Sequence, residues 1–336
     1  MQVTTIGLDL AKSVFQVHGT DSRGRVVLRK RLTRGKLLEF FANLPACLVG
    51  MEACGGAHHW ARELRALGHE VRLMPPQYVK PYVKRNKHDR ADAEAICEAM
   101  RRPNMRFVAI KSTDQQSVLM LHRTRELLVR QRTMLANALR GHLSEFGIVV
   151  AKGIQNVKKL SAIVGDHDDR RLPDVARSAL VLMLEQLGDT TRKIGELEKR
   201  LDGWHRQNEA SQRLATMPGI GPLTATALIA TVGDPGHFKS GRQFAAWLGL
   251  TPREYSTGGK ACPGRISKRP MDQEGWLSSP SSGARRAIGD SGAQAKGVEG
   301  GGVYLARRAS GAPPCQCRDR GHGEQECAHR LGADET

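Results

Sequence analysis

The first 110 residues alternate short β-type runs with helical patterns, and this alternation limits the possible folds more than any other feature of the chain. Three apolar runs separated by turn residues, "TTIGLDLA", "VFQVHGTD" and "RVVLRKRL", predict an opening β-meander. Helical patterns then alternate with two further strands, in "CLVGMEA" and in "HEVRLMPP". The order βββαβαβα predicts an α/β domain with a mixed sheet that helices cover.

Residues 111–210 have a different character, because they are rich in leucine and charged residues with helical periodicity. Two long segments of this kind predict either an antiparallel helical pair or an oligomerising coiled coil. The connector between them, residues 152–174, is expected to contain a short helix.

The segment "LATMPGIGPLTATALIATVGD", residues 214–234, has the pattern of a helix-hairpin-helix motif. Gly219 and Gly221 would let backbone amides at a helix N-terminus approach a DNA phosphate closely. An ordinary tight helical hairpin is the alternative interpretation. Residues 242–269 then predict an apolar, aromatic helix and a small-residue loop, whose flanking bases Lys260, Arg265 and Lys268 are expected to contact DNA.

The charge balance indicates a polyanionic partner. The chain of 336 residues has 52 Lys and Arg against 34 Asp and Glu, a formal net charge of +18. An excess of this size favours a phosphate backbone, since each neutralised phosphate releases counterions.

Seven scattered cysteines do not form the pattern of a disulfide framework. The N-terminus lacks the pattern of a signal peptide and no apolar run approaches a membrane span of about 18 residues, so we expect a cytoplasmic, nucleoid-associated protein without a membrane partner.

The composition changes after Arg269. Gly, Ala, Arg and Ser dominate residues 270–336, and neither helical nor strand periodicity continues. Such a segment cannot readily bury a core and is predicted to be disordered. It is also typical of a GC-rich gene read out of frame, which leads to the hypothesis of a frameshift near codon 270.

Four carboxylates are placed where they could converge at one edge of the sheet. Asp9 ends the first predicted strand, Glu52 ends a later central strand, and Asp89 and Asp92 share one face of a helix that starts near residue 89. Mg²⁺ prefers oxygen ligands, and two such ions bridged by carboxylates stabilise the attacking and leaving oxygens of a phosphodiester. Taken singly, each Asp has a simpler interpretation: a strand-end turn residue for Asp9 and a helix N-cap for Asp89.

Three stretches of the chain resemble the DEDD transposases of insertion sequence family one-ten and, through them, the Piv DNA invertases. They are "IGLDLAKSVFQVHGTD", "GMEACGGAHHWARELRALGHEVRLMPPQYVKPYVKRNKHDRADAEAICEA" and the segment from "MPGIGPLTATALIATVGD" through "LGLTPREYSTGGK" to "GRISKR". The resemblance covers residues 1 to about 269. It implies a RuvC-like (RNase H fold) catalytic domain at 1–110, a helical segment at 111–210 and a C-terminal transposase domain at 211–269.

The resemblance also implies roles for individual residues. The family's metal-binding tetrad matches Asp9, Glu52, Asp89 and Asp92, and its serine nucleophile matches Ser256 in "YSTGGK", with Thr257 as the alternative alignment. A serine hydroxyl needs a base or a metal to become a good nucleophile, and its attack on DNA would leave a phosphoserine-linked end. Family knowledge further implies that a structured guide RNA specifies the donor and target DNA, so that the DNA partners are the element ends and the target site. The long helical middle segment and the recombination of two duplexes favour a homodimer or homotetramer, and the carboxylate ligands favour Mg²⁺.

Two other functions remain open from the sequence. A structure-selective junction nuclease would use the same carboxylate tetrad without the serine. A non-catalytic nucleic-acid-binding remnant would use only the basic surface and the helical hairpin, and applies if the altered C-terminus abolishes activity.

Overall fold

The computed structural model describes residues 2–83, 89–233, 236, 238–248, 250, 252–260 and 262–266. For some residues of the helices and strands, among them Asp89 and Arg265, only the backbone is described. The predicted DNA contact of Lys268 and the predicted disorder of residues 270–336 lie outside the described residues.

The N-terminal part is a mixed α/β domain in the order βββαβαβαα, which is the predicted order with one additional short helix. Its strands are β1 Thr5–Leu10, β2 Val14–Thr20, β3 Val26–Thr33, β4 Leu48–Glu52 and β5 Glu70–Met74. Its helices are α1 Leu37–Ala42, α2 Ala57–Ala66, α3 Pro76–Val79 and α4 Asp89–Met100. The helix predicted to start near residue 89 therefore begins at Asp89.

These strands form one five-stranded sheet in the order β3-β2-β1-β4-β5. The first three strands are antiparallel, as the predicted meander requires, whereas β4 runs parallel to β1 and to β5. Apolar residues from alternate strand positions, such as Ile6 and Leu8, are buried in one cluster with Trp60 and Leu64 of α2. Burial of this apolar surface is the main free energy that holds the helices on the sheet.

Glycines on the central strands allow α4 to approach the sheet closely. A Cβ added to Gly7 would lie 2.1 Å from the carbonyl oxygen of Ala93 and 2.7 Å from the amide nitrogen of Cys97. Gly50 on β4 has a similar role, because its added Cβ would lie 2.5 Å from the sulfur of Met100. The helix therefore packs with its backbone against β1, which fixes its height above the sheet.

The rest of the described chain is mainly helical. Its helices are α5 Thr113–Ser144, α6 Val157–Gly165, α7 Asp174–Gln207, α8 Glu209–Ala215, α9 Pro222–Val232 and α10 Gly241–Trp247. Ser112 begins α5 with a capping box, in which its Oγ accepts from the Gln115 amide at 3.1 Å and its own amide donates to Gln115 Oε1 at 2.9 Å. None of the helices in the described ranges is long and apolar enough to span a membrane.

The two longest helices, α5 and α7, pack as an antiparallel pair. Leu139 near the end of α5 shares a buried cluster with Leu180 near the start of α7, whereas Val118 at the start of α5 clusters with Leu201 near the end of α7. An ion pair between Arg125 and Glu198, with N–O distances of 2.6 and 2.8 Å, links the helices between these clusters. Of the two arrangements that the sequence left open, the antiparallel pair is present within one chain.

The small-residue loop that was predicted within residues 242–269 connects two short strands that were not predicted, so the structure contains a β-hairpin there. Strand β6, Pro252–Glu254, pairs antiparallel with β7, Pro263–Ile266. Gly258 and Gly259 have φ of 56° and 78°, so they make the left-handed turn that reverses the chain. The two strands were not predicted because prolines, glycines and basic residues hide their short pattern.

Candidate active site

Asp9 and Glu52 lie on neighbouring parallel strands at the same edge of the sheet. Leu8 of β1 pairs with Met51 of β4, so Asp9 and Glu52 are the next residues along their strands. Each also lies two positions after a glycine that faces α4, and alternate strand residues share a face. Both carboxylates therefore belong to the face of the sheet that α4 covers.

The first turn of α4 supplies Asp92 to the same site. Its neighbour Ala93 touches β1 at Gly7, which places the start of the helix near the carboxyl end of that strand. Asp9, Glu52 and Asp92 are all partly buried. The amino end of α4 carries the positive end of the helix dipole, which favours negative charge at this position.

The electrostatics of Glu52 show how close these three groups lie. Burial, together with the negative charges of Asp9 and Asp92, raises the pKa of Glu52 from 4.5 to about 7. Burial also raises the pKa of the nearby Cys54 thiol, and the charges of Glu52 and Asp9 raise it further. The site is therefore a pocket of mutually repelling carboxylates that a cation or a proton stabilises.

The donor set of this pocket suits a hard divalent cation, since carboxylate oxygens are the ligands that such ions prefer. Glu52, whose pKa is raised by burial and by the charges of Asp9 and Asp92, fits a site that exchanges a proton for a metal ion. No group of three or more His, Cys, Asp or Glu residues is yet arranged to hold an ion among the described residues. Asp89 is the first residue of α4, three positions before Asp92, and its backbone alone is described.

Ser256 lies on a different element, the loop of the β6–β7 hairpin, and is exposed. Its hydroxyl donates a hydrogen bond of 2.8 Å to Oε1 of Glu254. Thr257 is also exposed, and its backbone pairs with Lys260 across the turn. The structure thus gives Ser256 a carboxylate acceptor for its proton.

Glu254 is a residue that sequence reasoning missed. Residues two apart on a strand share a face, so a β-type interpretation of "PREYS" would have placed Glu254 beside Ser256. No strand was predicted for this segment, so the proximity of the two residues was not predicted either.

The predicted DNA-contacting glycines lie in a tight turn between two packed helices, α8 and α9. Gly219 has φ of 84°, and Gly221 is the exposed N-cap of α9 with open space around it. Lys260 is exposed at the turn of the β-hairpin, and Arg265 lies on β7. These residues are thus placed on turns and a short strand, and their contact with DNA remains a prediction.

A mixed sheet in the order 3-2-1-4-5 with carboxylates at its carboxyl edge is consistent with the RNase H-like domain of DEDD enzymes. Comparison with known families agrees with this class. The IS110 DEDD transposase model, described as "Transposase", matches residues 6–148, and the model described as "Transposase IS116/IS110/IS902 family" matches residues 211–272.

Individual relatives point the same way. The "Probable family 20 transposase" of Pseudomonas aeruginosa is 50% identical over 270 residues, which cover 80% of each chain. The "Transposase for insertion sequence element IS1328" of Yersinia enterocolitica is 44% identical over 267 residues, 80% of this chain and 79% of that protein. The "Pilin gene-inverting protein" of Moraxella bovis is 25% identical over 206 residues, 60% of this chain and 53% of that protein.

This chain belongs to the IS110/IS116/IS902 family of transposases, enzymes that cleave and rejoin DNA. DEDD transposases are typically metal-dependent.

Proposed function

We propose that this transposase cleaves and rejoins DNA at the ends of an insertion sequence, with Mg²⁺ held by Asp9, Glu52, Asp89 and Asp92 and with Ser256 as the nucleophile. The observation that supports it most is the pocket in which Asp9 and Asp92 help to raise the pKa of Glu52 to about 7. A polynucleotide is the partner that the formal net charge of +18 favours.

The protein's own groups account for the transfer of the proton. Ser256 donates its hydroxyl hydrogen toward Glu254, so the carboxylate accepts this proton as the serine oxygen attacks phosphorus. A bond forms between Oγ and phosphorus, the bond between phosphorus and one sugar oxygen breaks, and this oxygen leaves as a hydroxyl group after it takes a proton from solvent. Mg²⁺ in the carboxylate pocket would stabilise the charge on the phosphate oxygens. Attack of another sugar hydroxyl on the phosphoserine rejoins DNA with no net change in the number of ester bonds.

A covalent-adduct assay tests this proposal. Purified protein is incubated with element-junction DNA, the guide RNA of the element and Mg²⁺, and the mixture is resolved on a denaturing gel. We expect a shifted protein–DNA band that is lost in both Ser256→Ala and Asp9→Ala. The matched control is Thr257→Ala, which changes the neighbouring hydroxyl on the same exposed turn and should retain the band.

Other results of this assay contradict specific parts of the proposal. A band that survives in Ser256→Ala and disappears in Thr257→Ala would move the nucleophile to Thr257. DNA cleavage by Ser256→Ala without any adduct would favour the junction nuclease. DNA binding that is unaffected by Asp9→Ala, with neither cleavage nor adduct in the wild-type protein, would favour the non-catalytic remnant.

We propose that the α8–α9 hairpin binds the DNA backbone as a helix-hairpin-helix motif. The positive φ of Gly219 and the exposed position of Gly221 at the N-terminus of α9 support it, because phosphate binds well at such a terminus. Lys260, Arg265 and Lys268 are proposed as further contacts to the DNA backbone.

A structured guide RNA is proposed to select the target DNA. An electrophoretic mobility shift of the element's own RNA by the purified protein tests this RNA binding.

A homodimer or homotetramer is the proposed assembly. Met120, Leu127 and Met134 are exposed on α5 at seven-residue spacing, which places them on one apolar stripe. Light scattering after gel filtration should show a smaller species for Met134→Lys than for the control Leu182→Lys, an exposed site on α7. Equal masses for both variants would contradict this assignment of the interface.

The remaining proposals concern organisation and location. We propose that residues 1–110, 111–210 and 211–269 act as the catalytic, helical and transposase domains in the cytoplasm on nucleoid DNA. The second family match ends at residue 272, close to the change of composition after Arg269. Resequencing the locus tests the frameshift, since the hypothesis requires an intact alternative frame that encodes helical sequence.

A further inference from the structure

A cavity of about 600 Å³ lies beside the carboxylate pocket. Ala53, the residue after Glu52, and Pro75, the residue after β5, border it at the carboxyl edge of the sheet. The opposite wall comes from the end of α9 and from α10 with the residues just before it. The cavity therefore lies between the carboxyl edge of the sheet and the C-terminal helices.

Aromatic side chains are concentrated in this cavity. Its lining includes four aromatic residues, Tyr78, Phe107, Phe238 and Trp247, from a chain that has only 4 Trp, 4 Tyr and 7 Phe. Phe238 and Trp247 meet edge to face with centroids 5.7 Å apart, whereas Phe107 is 38% exposed. Exposed and half-buried aromatic faces of this kind are the surfaces on which nucleobases stack.

The polar lining is positively charged. Arg106, Lys111 and Lys239 contribute to it, and the described lining residues include no Asp or Glu. Lys111 is held in place from α2, because its amide donates to His58 Nδ1 at 3.1 Å and its carbonyl accepts from Arg62 Nη1 at 2.7 Å. Basic and aromatic residues therefore line the same cavity, next to the carboxylate pocket.

We infer that this cavity binds one unpaired nucleotide of a DNA or RNA strand. The base stacks on the aromatic residues, and its phosphate faces Arg106 and Lys239. Bound there, the nucleotide would fix the position of its strand relative to the carboxylate pocket, at the cost of unstacking one base. The inference rests on the proposed function for the source of the strand, whereas binding itself requires no catalysis.

Photocrosslinking of the full chain tests the inference directly. The probes are ten-nucleotide single strands of DNA and of RNA that contain 5-iodouracil, with a duplex of the same sequence as the comparison. Crosslinked peptides are mapped by mass spectrometry, and affinities are measured by fluorescence anisotropy. The variants are Phe107→Leu and Trp247→Leu, with Phe146→Leu, a half-buried aromatic packed on the α5–α7 pair, as the matched control.

We expect crosslinks in the peptides that contain Phe107, Phe238 or Trp247. Each cavity variant should weaken single-strand binding by about 5- to 150-fold, the measured range for one stacked base, while duplex binding and the control change less than about twofold. The tighter of the DNA and RNA probes identifies the source of the nucleotide. Phe107 is partly exposed, so its variant should keep the wild-type melting temperature even where Trp247→Leu loses stability.

Crosslinks that map elsewhere, unchanged single-strand affinity in Phe107→Leu, or equal losses for duplex and single strand would each overturn the inference. These results are separable from the covalent-adduct assay. An adduct in the wild-type protein without crosslinks in the cavity refutes the nucleotide site alone, whereas cavity crosslinks without an adduct refute only the proposed catalysis.

Discussion

Replacement of Glu52 by Gln should make the protein more stable while it abolishes DNA cleavage. Glu52 is partly buried beside Asp9 and Asp92, and the wild-type protein pays for its ionisation above neutral pH. Gln has nearly the same shape and no charge. The substitution therefore removes the electrostatic cost and leaves the packing of β4 in place.

The magnitude follows from the shifted pKa of Glu52. A rise from 4.5 to about 7 corresponds to about 3 kcal/mol, which solvent screening of a partly buried group reduces to about 2 kcal/mol. Because the folded-state pKa is raised, the favourable contribution of protonated Glu52 is complete below pH 4.5. It is lost as the pH rises through about 7. Glu52→Gln should thus gain about 2 kcal/mol over the wild-type protein at pH 8 and little at pH 4.5.

Thermal and urea unfolding of the two proteins from pH 4.5 to pH 8 measure this difference. At pH 8 the expected gain is about 4 to 8 °C in melting temperature. Mg²⁺ should raise the melting temperature of the wild-type protein at pH 8 more than that of the variant, because the ion binds the folded carboxylate pocket. Equal stability of the two proteins across this pH range would refute the repulsion among these carboxylates.

Three further predictions follow from contacts described above. Gly7→Ala should lower the free energy of unfolding in urea by about 3 kcal/mol, because the new methyl group meets the backbone of α4. The loss should be smaller for Gly50→Ala, whose methyl group meets a flexible methionine side chain. Equal losses for the two variants would contradict the close contact at Gly7. Glu254→Gln should slow adduct formation by Ser256 about 100-fold in quenched-flow assays with unchanged DNA affinity, and wild-type rates would exclude Glu254 as the proton acceptor. Burial and then the charge of Arg125 lower the pKa of His122 to about 4, so the folded protein keeps His122 neutral above pH 6.5. The free energy of unfolding should fall by about 3 kcal/mol as the pH drops from 6.5 toward 4, because the unfolded chain takes up the proton more readily. Acid unfolding of His122→Gln should lack this fall, and the same pH dependence in both proteins would contradict the prediction.

The positions of Asp9 and Glu52 could be predicted because both end strands of the predicted sheet. Carboxyl ends of parallel strands meet at one edge, and the register of β1 with β4 makes these residues neighbours. The start of α4 at Asp89 was likewise readable from the helical spacing of its carboxylates. Patterns of period two and period 3.6 carry this information locally.

Contacts between distant segments carried no such local signal. His58 and Lys111 are 53 residues apart, and their hydrogen bond depends on how α2 packs beside the segment after α4. Gly7 lowers the strand propensity of its segment, although its lack of a side chain is what lets the backbone of α4 approach β1. The hydrogen bond between Ser256 and Glu254 depends on a hairpin whose strands are too short to show alternation.

The antiparallel α5–α7 pair has a consequence for the order in which the chain folds during synthesis. Every strand of the five-stranded sheet has left the ribosome once Met74 is outside, so the sheet can form early. Val118 of α5, in contrast, is buried with Leu201 and Ala230, and the latter is made about 5 to 20 s later at ordinary rates of translation. The first half of α5 therefore emerges as an apolar helix without its partners, and a nascent-chain chaperone that binds such surfaces should protect this transposase between the synthesis of α5 and that of α9.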